Sequence, residues 1–415
     1  MKFSTKTLTD IKEILVKEVR QRVEEGEEVA FNELEQDMRK LFRQIGQECL
    51  GEILSLLDEV EMGVRIECEC GAMAERISRR KATVLSIFDW LRYRRSYYQC
   101  PECDETRIPL DEEQGLKPGQ PTQGMANLLA LAGVIEPFEK ASEIVERYLL
   151  VSASDNTIRK ETQQIGQKQT QREAEWKRQS QDIEYLHNRK RSVKERPKRS
   201  YGSIDGAFVP LSGEWKEAKI ISWYQSWVPY GQEEPQAQDI RSYISFDKAR
   251  EFGDLVWASG VHHQVDLAEE VVFVCDGAAW IWKLVEFHFP RAVQIVDWYH
   301  ACEYFYPIAE ALFSSESEQA QAWVQEMKDL LWDGDTQAVI RICRLLEDHL
   351  QAGEPARKAA TYFANNQDRM DYPRYREQRY FIGSGAVESA CKQIVTMRLK
   401  RPGARWTHKG ALATP

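Results

Sequence analysis

Three carboxylates stand among residues that give no other reason for a charge. Asp205 lies in YGSIDGAFVPL, a strand-like run where its neighbours Ile204, Phe208 and Val209 are apolar. Asp276 lies in VVFVCDGAAWIW, at the carboxyl end of a run apolar enough for a central strand. Glu388 follows the turn Gly383-Ser384-Gly385 and begins a helical pattern, whose N-terminus favours an ionised side chain. Two carboxylates buried side by side repel, so one pKa rises or a cation is recruited. All-oxygen ligation favours Mg2+ or Mn2+ over Zn2+. Singly, each residue has a plainer reading: Glu388 as a cap of its own helix, Asp205 and Asp276 as turn residues after strands. Together, in this order, they read as a metal-dependent catalytic site.

A second constellation is sulfur-based. Cys68-x-Cys70 and Cys100-x-x-Cys103, with 29 residues between the pairs, are four candidate thiolate ligands on two turn-like segments. Four thiolates suit tetrahedral zinc, and a structural zinc supplies folding energy to a small β-rich module. The first pair is tighter than the usual two-residue gap, so unligated thiols remain the alternative. With nine cysteines in all, five of them unpaired in this way, the pattern points to metal in a reducing compartment rather than to a disulfide scaffold.

The formal charge of −10 excludes a protein that coats nucleic acid through bulk electrostatics, but its cations are clustered. Seven Lys/Arg face one acid between Arg76 and Arg95, and seven face one between Arg189 and Arg199. Each run is either a solvated face or a phosphate-binding surface. Around the cysteines, Arg79, Arg80, Lys81, Arg92, Tyr93, Arg94, Arg95, Tyr97 and Tyr98 mix basic and aromatic side chains in a way that suits phosphates and exposed bases. Further on, apolar spacing at Phe138, Ala141, Val145 and Tyr148 precedes a short turn, and Ser152 with Asp155 forms a Ser-x-x-Asp box that would start a second helix. That helix would present Asn156, Arg159, Lys160 and Gln163, residue types that read base edges and phosphates. The pattern is either a helix-turn-helix or two packed helices with an ordinary polar face.

The elements that would position these groups follow from periodicity. Residues 1–62 read as a helical region, an oligomerisation arm or a packing subdomain, with Leu8, Ile11, Leu15 and Val19 and then Leu41, Ile45, Ile53 and Leu57 near helical spacing. Residues 63–120 read as a zinc-ribbon-like β module, and 121–187 as the helix-turn-helix followed by a linker helix. The basic stretch Asn188 to Ser200, which contains Pro197, reads as a hinge. Within 200–415, strand-like runs at Tyr201 to Leu211, Ala218 to Tyr224 and Ile240 to Phe246 precede a helix from Lys248 to Ala258. Strands at Val271 to Cys275 and Ala292 to Val296 follow, then a helical stretch over 308–372 and a last helix to about Leu399. This is the order of an α/β fold with a ribonuclease-H-like mixed sheet and a helical insertion. In such a sheet the first and fourth strands are neighbours, which would bring Asp205 beside Asp276. Twelve tryptophans, Trp280, Trp282 and Trp298 among them, read as core packing.

Length and composition allow two to four domains with a sizeable core. Hydrophobic residues make up 42%, with no run approaching the roughly 18 a membrane span needs, and the start MKFSTKTLTDIKEIL lacks the apolar centre of a signal peptide. The expectation is a cytoplasmic protein, and the resemblance that follows implies a nucleoid-associated bacterial one.

From roughly Arg65 to Trp406 the chain resembles a bacterial insertion-sequence transposase of the ISKra type, within the Mutator-like superfamily of DDE transposases. The stretches that carry the resemblance are SIDGAFV, FVCDGAAWIW, VDWYHACEYFY and GSGAVESACKQIVTMRLKRPGARW. It implies an Asp-Asp-Glu triad of Asp205, Asp276 and Glu388 and an Asp-x-x-His signature at Asp297 and His300, with 308–372 as the insertion. It further implies two-metal phosphoryl transfer with Mg2+ or Mn2+, double-stranded DNA as partner (element ends and target), and a homo-oligomer in the synaptic complex. His300 would contact the scissile phosphate or orient Asp297, or be bonded in structure only. Members of this type continue beyond the point matching Trp406 with another helical stretch, whereas this chain stops at Pro415, an end expected to leave the Glu388 helix less supported. Two other functions fit the same residues: a repurposed, non-catalytic DNA-binding protein, and a nuclease on the same fold.

Overall fold

Strands β1 (Arg65–Glu67), β2 (Met73–Ser86), β3 (Asp89–Gln99) and β4 (Thr106–Arg107) form an antiparallel sheet in that order in the computed structural model. The structure describes residues 5–61, 63–232, 235–313, 317–401 and 405–413. The chain divides into two compact units, Met1–Thr162 and Gln163–Pro415, the division falling within one helix, Asp155–Gln181.

In the first unit, β2 and β3 are one long hairpin whose alternation buries Ala82, Val84, Leu91 and Tyr93 beneath Leu50, Leu54 and Leu57 of helix Phe31–Glu61. A Cβ at Gly51 would meet the Arg92 carbonyl oxygen at 2.5 Å, so glycine there sets how closely helix and strand approach. Asp58, fully buried on the same helix, accepts the Ser96 N–H and hydroxyl. This helix is therefore a packing element of the β module. Helices Gln123–Ile135, Phe138–Leu149 and the start of Asp155–Gln181 enclose a small core of Met125, Leu129, Ala141, Val145, Val151 and Ile158. The sequence reading placed the third helix's start at a Ser152–Asp155 box. Ser154 instead caps it, its Oγ accepting the Thr157 N–H at 3.2 Å, because left-handed Leu150 and buried Val151 and Ala153 extend the turn.

The second unit holds a five-stranded mixed sheet made of β5 (Arg199–Leu211), β6 (Glu214–Trp227), β7 (Gln236–Ser245), β8 (Glu270–Cys275) and β9 (Val293–Val296). The order is β7-β6-β5-β8-β9, with β5, β6 and β7 antiparallel and β5, β8 and β9 parallel. Helices Ala249–His262 and Ala279–His288 make the connections that return the chain to the parallel strands, as parallel pairing requires. Helices between Phe305 and Glu377 follow, slightly longer than the expected 308–372. Helix Gly385–Ala390 then continues in wider π turns over Cys391–Leu399, where the sequence suggested a single α-helix. One core joins sheet and helices through Phe252, Phe273, Phe305 and Phe363. Trp282 is buried, and Trp298 packs edge-on against Trp332, as core packing demands.

The segment expected to be a hinge is different. Helix Ile183–Ser192 covers its first part, and Arg189 is pinned there by Asp266 at 2.8 and 3.0 Å and by the Val261 carbonyl. A largely buried ion pair leaves that arginine unavailable to a partner. Among the described residues no helix is long and apolar enough to cross a membrane.

Candidate functional site

The parallel pairing of β5 with β8 runs from Arg199 opposite Glu270 to Gly202 opposite Phe273. The same 71-residue offset relates Ile204 to Cys275, where the Ile204 N–H points at the Cys275 sulfur at 3.4 Å. Asp205 lies on β5 beyond the paired stretch and Asp276 immediately follows the end of β8, near enough for the charge of Asp205 to act on the Asp276 carboxyl.

Their surroundings are under-neutralised. Burial pushes the Asp276 carboxyl above its ordinary value; the Ala278 N–H at 2.9 Å and the nearby His300 oppose this, and the charges of Asp205 and Asp297 add to it. Asp205 accepts the Gly206 N–H at 2.6 Å and the Cys391 thiol at 3.2 Å. Burial and then Asp205, with Glu388 contributing, hold that thiol well above the usual cysteine range. The Asp276 turn is held from the helical insertion: Tyr362 Oη donates to the Asp276 carbonyl at 2.8 Å and Asn366 Nδ2 to that of Gly277 at 3.3 Å. Gly277 has φ +94°, and a Cβ there would lie 2.8 Å from the Tyr362 ring. Glycine is required for both reasons.

Asp297 is fully buried and has a different role from the other carboxylates. It caps helix Trp298–Glu303, one oxygen accepting the His300 N–H at 2.9 Å, while the other accepts the Ser384 N–H. Its own N–H donates to the Cys275 carbonyl at 2.8 Å, and the next N–H, of Trp298, donates to the Ile382 carbonyl at 2.8 Å. Asp297 thus holds the main chain of His300, whose ring turns toward Glu303 at 3.5 Å. Glu388 is exposed on helix Gly385–Ala390, whose Ala386, Val387 and Ala390 are buried. Cys391, one turn on from Glu388, touches Asp205, so this helical stretch lies over β5.

Among the described residues the carboxylates are not drawn together into a ready cation cage. The four thiols are: the sulfurs of Cys68, Cys70, Cys100 and Cys103 lie within 4.8 Å of one another. Cys68 is 3.6 Å from Cys103 and Cys70 is 3.5 Å from Cys100. Each pair sits on a tight turn: the Cys68 N–H donates to Ala72 and the Cys100 N–H to Glu105, with Gly71 and Asp104 at positive φ. Four sulfurs at about 2.3 Å from a tetrahedral zinc would be about 3.8 Å apart, so the set fits that ion. The thiols share their charge unevenly: the N–H groups of Cys103 and Glu102 lower the Cys100 thiol, whereas Cys103, against the pull of the Glu105 N–H, is raised by its thiol neighbours Cys100, Cys68 and Cys70.

The basic face divides in two. Arg79 is bound to Asp58 and Glu59, and Arg95 to the nearly buried Asp111, which also accepts the Tyr93 hydroxyl. Tyr93 and Tyr98 are buried. Arg79, Arg95 and these tyrosines are therefore structural and leave the exposed set. Arg80, stacked 3.8 Å over Tyr97, and Arg94 remain exposed, as do Asn156, Arg159 and Lys160.

Cys391, Tyr362 and Asn366 escaped the sequence reading. Only the i, i+3 spacing of Glu388 and Cys391 could have flagged the first; the other two depend on tertiary folding. The sequence matches an uncharacterised protein family, UPF0236, over residues 24–413. No curated protein matches it.

Proposed function

The chain belongs to the uncharacterised protein family UPF0236, and we propose that it is a DNA transposase of the DDE kind, with a ribonuclease-H-like catalytic domain, a zinc-ribbon-like module and a helix-turn-helix. The observation that carries the reading is the parallel pairing of β5, which bears Asp205, with β8, which Asp276 directly follows. Three further features support it: the helical stretch inserted before Glu388, the placement of that helix over β5, and the likeness of SIDGAFV, FVCDGAAWIW and GSGAVES to ISKra-type transposases.

In this reading Asp205, Asp276 and Glu388 hold Mg2+ or Mn2+, whose chemistry when bound is to activate an attacking water or 3′-hydroxyl and to stabilise the leaving oxygen. The donor set is all oxygen, as a hard cation prefers, and the charge of Asp205 already acts on Asp276. The protein's own contribution is positional. Tyr362 and Asn366 fix the Asp276 turn, Asp297 fixes the start of the Glu388 helix, and Cys391 fixes one oxygen of Asp205. Exposed Arg80, Arg94, Asn156, Arg159 and Lys160 supply duplex contacts. Zinc on the four thiols would hold the β module.

A strand-cleavage assay on duplexes carrying the element ends, with Mg2+ or Mn2+, tests the reading. The unmodified chain should cleave and Asp205→Ala should bind the same DNA without cleaving it. Equal cleavage by both removes Asp205 from the site. The spread of the carboxylates, which are not drawn into a metal cluster as the thiols are, favours a second reading, a DNA-binding protein without catalysis. Absence of cleavage by either chain would support that second reading.

A further inference from the structure

Beside the Asp276 turn lies an open groove of about 730 Å³ between helix Ala279–His288 and helix Gly353–Asn366, floored by Gly277. We propose that it is a binding site for an unpaired nucleic-acid strand, held mainly through its phosphates; the inference deepens the transposase reading, on which its catalytic relevance rests.

The groove's polar groups are laid out for a repeating anion. Arg357, Thr361 and Asn365 line it and recur every four residues of helix Gly353–Asn366, a step of about 6 Å and comparable to that between phosphates of an extended strand, and Arg369, in the turn that follows, lines it paired with Glu286 at 2.9 Å. Arg357 and Lys358 share the single carboxylate of Glu354, at 3.2 and 3.3 Å, with all three side chains more than half exposed. Pairs so exposed contribute little and yield readily to a phosphate. Lys283 lies on the facing helix and has no ion-pair partner among the described residues. The lining therefore carries more positive than negative charge in a chain that is acidic overall.

One feature favours an unpaired strand. Tyr304 and Tyr362, stacked at 4.0 Å, form part of its wall and offer an aromatic surface to a base with no pairing partner. Tyr362 also donates to the Asp276 carbonyl, so a strand resting on this wall lies directly against the turn that carries Asp276.

The test uses the full chain in EDTA, with a short fluorescein-labelled oligothymidylate for anisotropy and a 4-thiothymidine version for photocrosslinking. Crosslinks are expected on the peptides containing Tyr304 or Tyr362. The Lys283→Glu/Lys358→Glu variant should melt as the unmodified chain does, bind about tenfold or more weakly, and lose about 1.4 from the slope of log affinity against log salt, at about 0.7 per contact. The milder Lys283→Gln/Lys358→Gln pair should lie between. Crosslinks confined to residues 63–187, with affinity unchanged in both variants, would overturn the proposal. So would displacement of the oligonucleotide by thymidine monophosphate at equal phosphate concentration, which would make the groove a mononucleotide site. Because no metal is present, failed cleavage leaves this result standing. Normal cleavage with unaltered binding in the variants would remove the groove alone.

Discussion

Asp297 accepts the backbone N–H of Ser384, so one buried carboxylate at the end of β9 holds the turn from which the Glu388 helix starts. The resemblance to DDE transposases implied a catalytic role for Asp297, whereas its bonds make it a positioning residue. Asp297→Ala would leave the His300 and Ser384 N–H groups unsatisfied in a dry setting, at a cost of about 2–4 kcal/mol. The expected fall in Tm is roughly 5–10 °C. Asp297→Asn keeps one acceptor and should lose about half as much. A ligand with no structural role would give the reverse, because removing one of several repelling carboxylates would leave Tm unchanged or raise it. Thermal melts in EDTA separate the two.

The arginines of the β module make an equally sharp contrast. Arg95 faces Asp111 with both side chains largely buried, while Arg80 and Arg94 are exposed. Arg95→Ala should destabilise the first unit by about 3 kcal/mol, because it strands the Asp111 charge. Arg80→Ala and Arg94→Ala should change stability by no more than about 0.5 kcal/mol, yet each should lower the salt slope of duplex binding by about 0.9. Urea titrations and binding isotherms at several salt concentrations would decide. An Arg95→Ala protein of normal stability and reduced DNA affinity would return Arg95 to the binding face.

Periodicity made the strands of the second sheet legible, since each is an apolar run closed by turn residues. It also made the adjacency of Asp205 and Asp276 legible, because element order constrains which strands can pair. Arg79 and Arg95 show where this stopped. Their partners Asp58 and Asp111 lie 21 and 16 residues away in sequence, and nothing in the charge pattern distinguishes a buried pair from a solvated face. The same holds for Arg189, whose partner Asp266 is 77 residues away. The Ser-x-x-Asp pattern pointed to Ser152 as the cap, whereas the buried Val151 and Ala153 extend the turn so that Ser154 takes that place.

The four thiol sulfurs lie within 4.8 Å of one another, so loss of one should leave a tetrahedral zinc short of a ligand. Metal analysis of the unmodified chain should give about one zinc, and Cys100→Ser should lose it. A strong chelator should lower the melting temperature of the unmodified chain and have no effect on Cys100→Ser. A protein purified in a zinc-containing medium that carries no zinc would sink the assignment.

Stability against pH should report on an aromatic cluster within the second unit. Trp176 stacks on His262 at 3.9 Å, and the Tyr243 hydroxyl lies 2.6 Å from His263 Nε2. Burial lowers His263 to about 4, with His262 and Arg241 adding to the effect. The folded chain thus keeps this imidazole neutral down to about pH 4, whereas the unfolded chain protonates it near the ordinary value of 6.5. Stability from this group is therefore complete above about pH 6.5 and is lost progressively as pH falls toward about 4. His263→Gln retains an acceptor for Tyr243 but does not titrate. Between about pH 7.5 and about pH 5 the unmodified chain should lose more stability than this variant, by on the order of 1 kcal/mol once partial exposure of the ring is allowed for. Parallel pH profiles for the two proteins would mean that His263 is solvated as freely in the folded state as in the unfolded one, and that the contact with Tyr243 does not persist in solution.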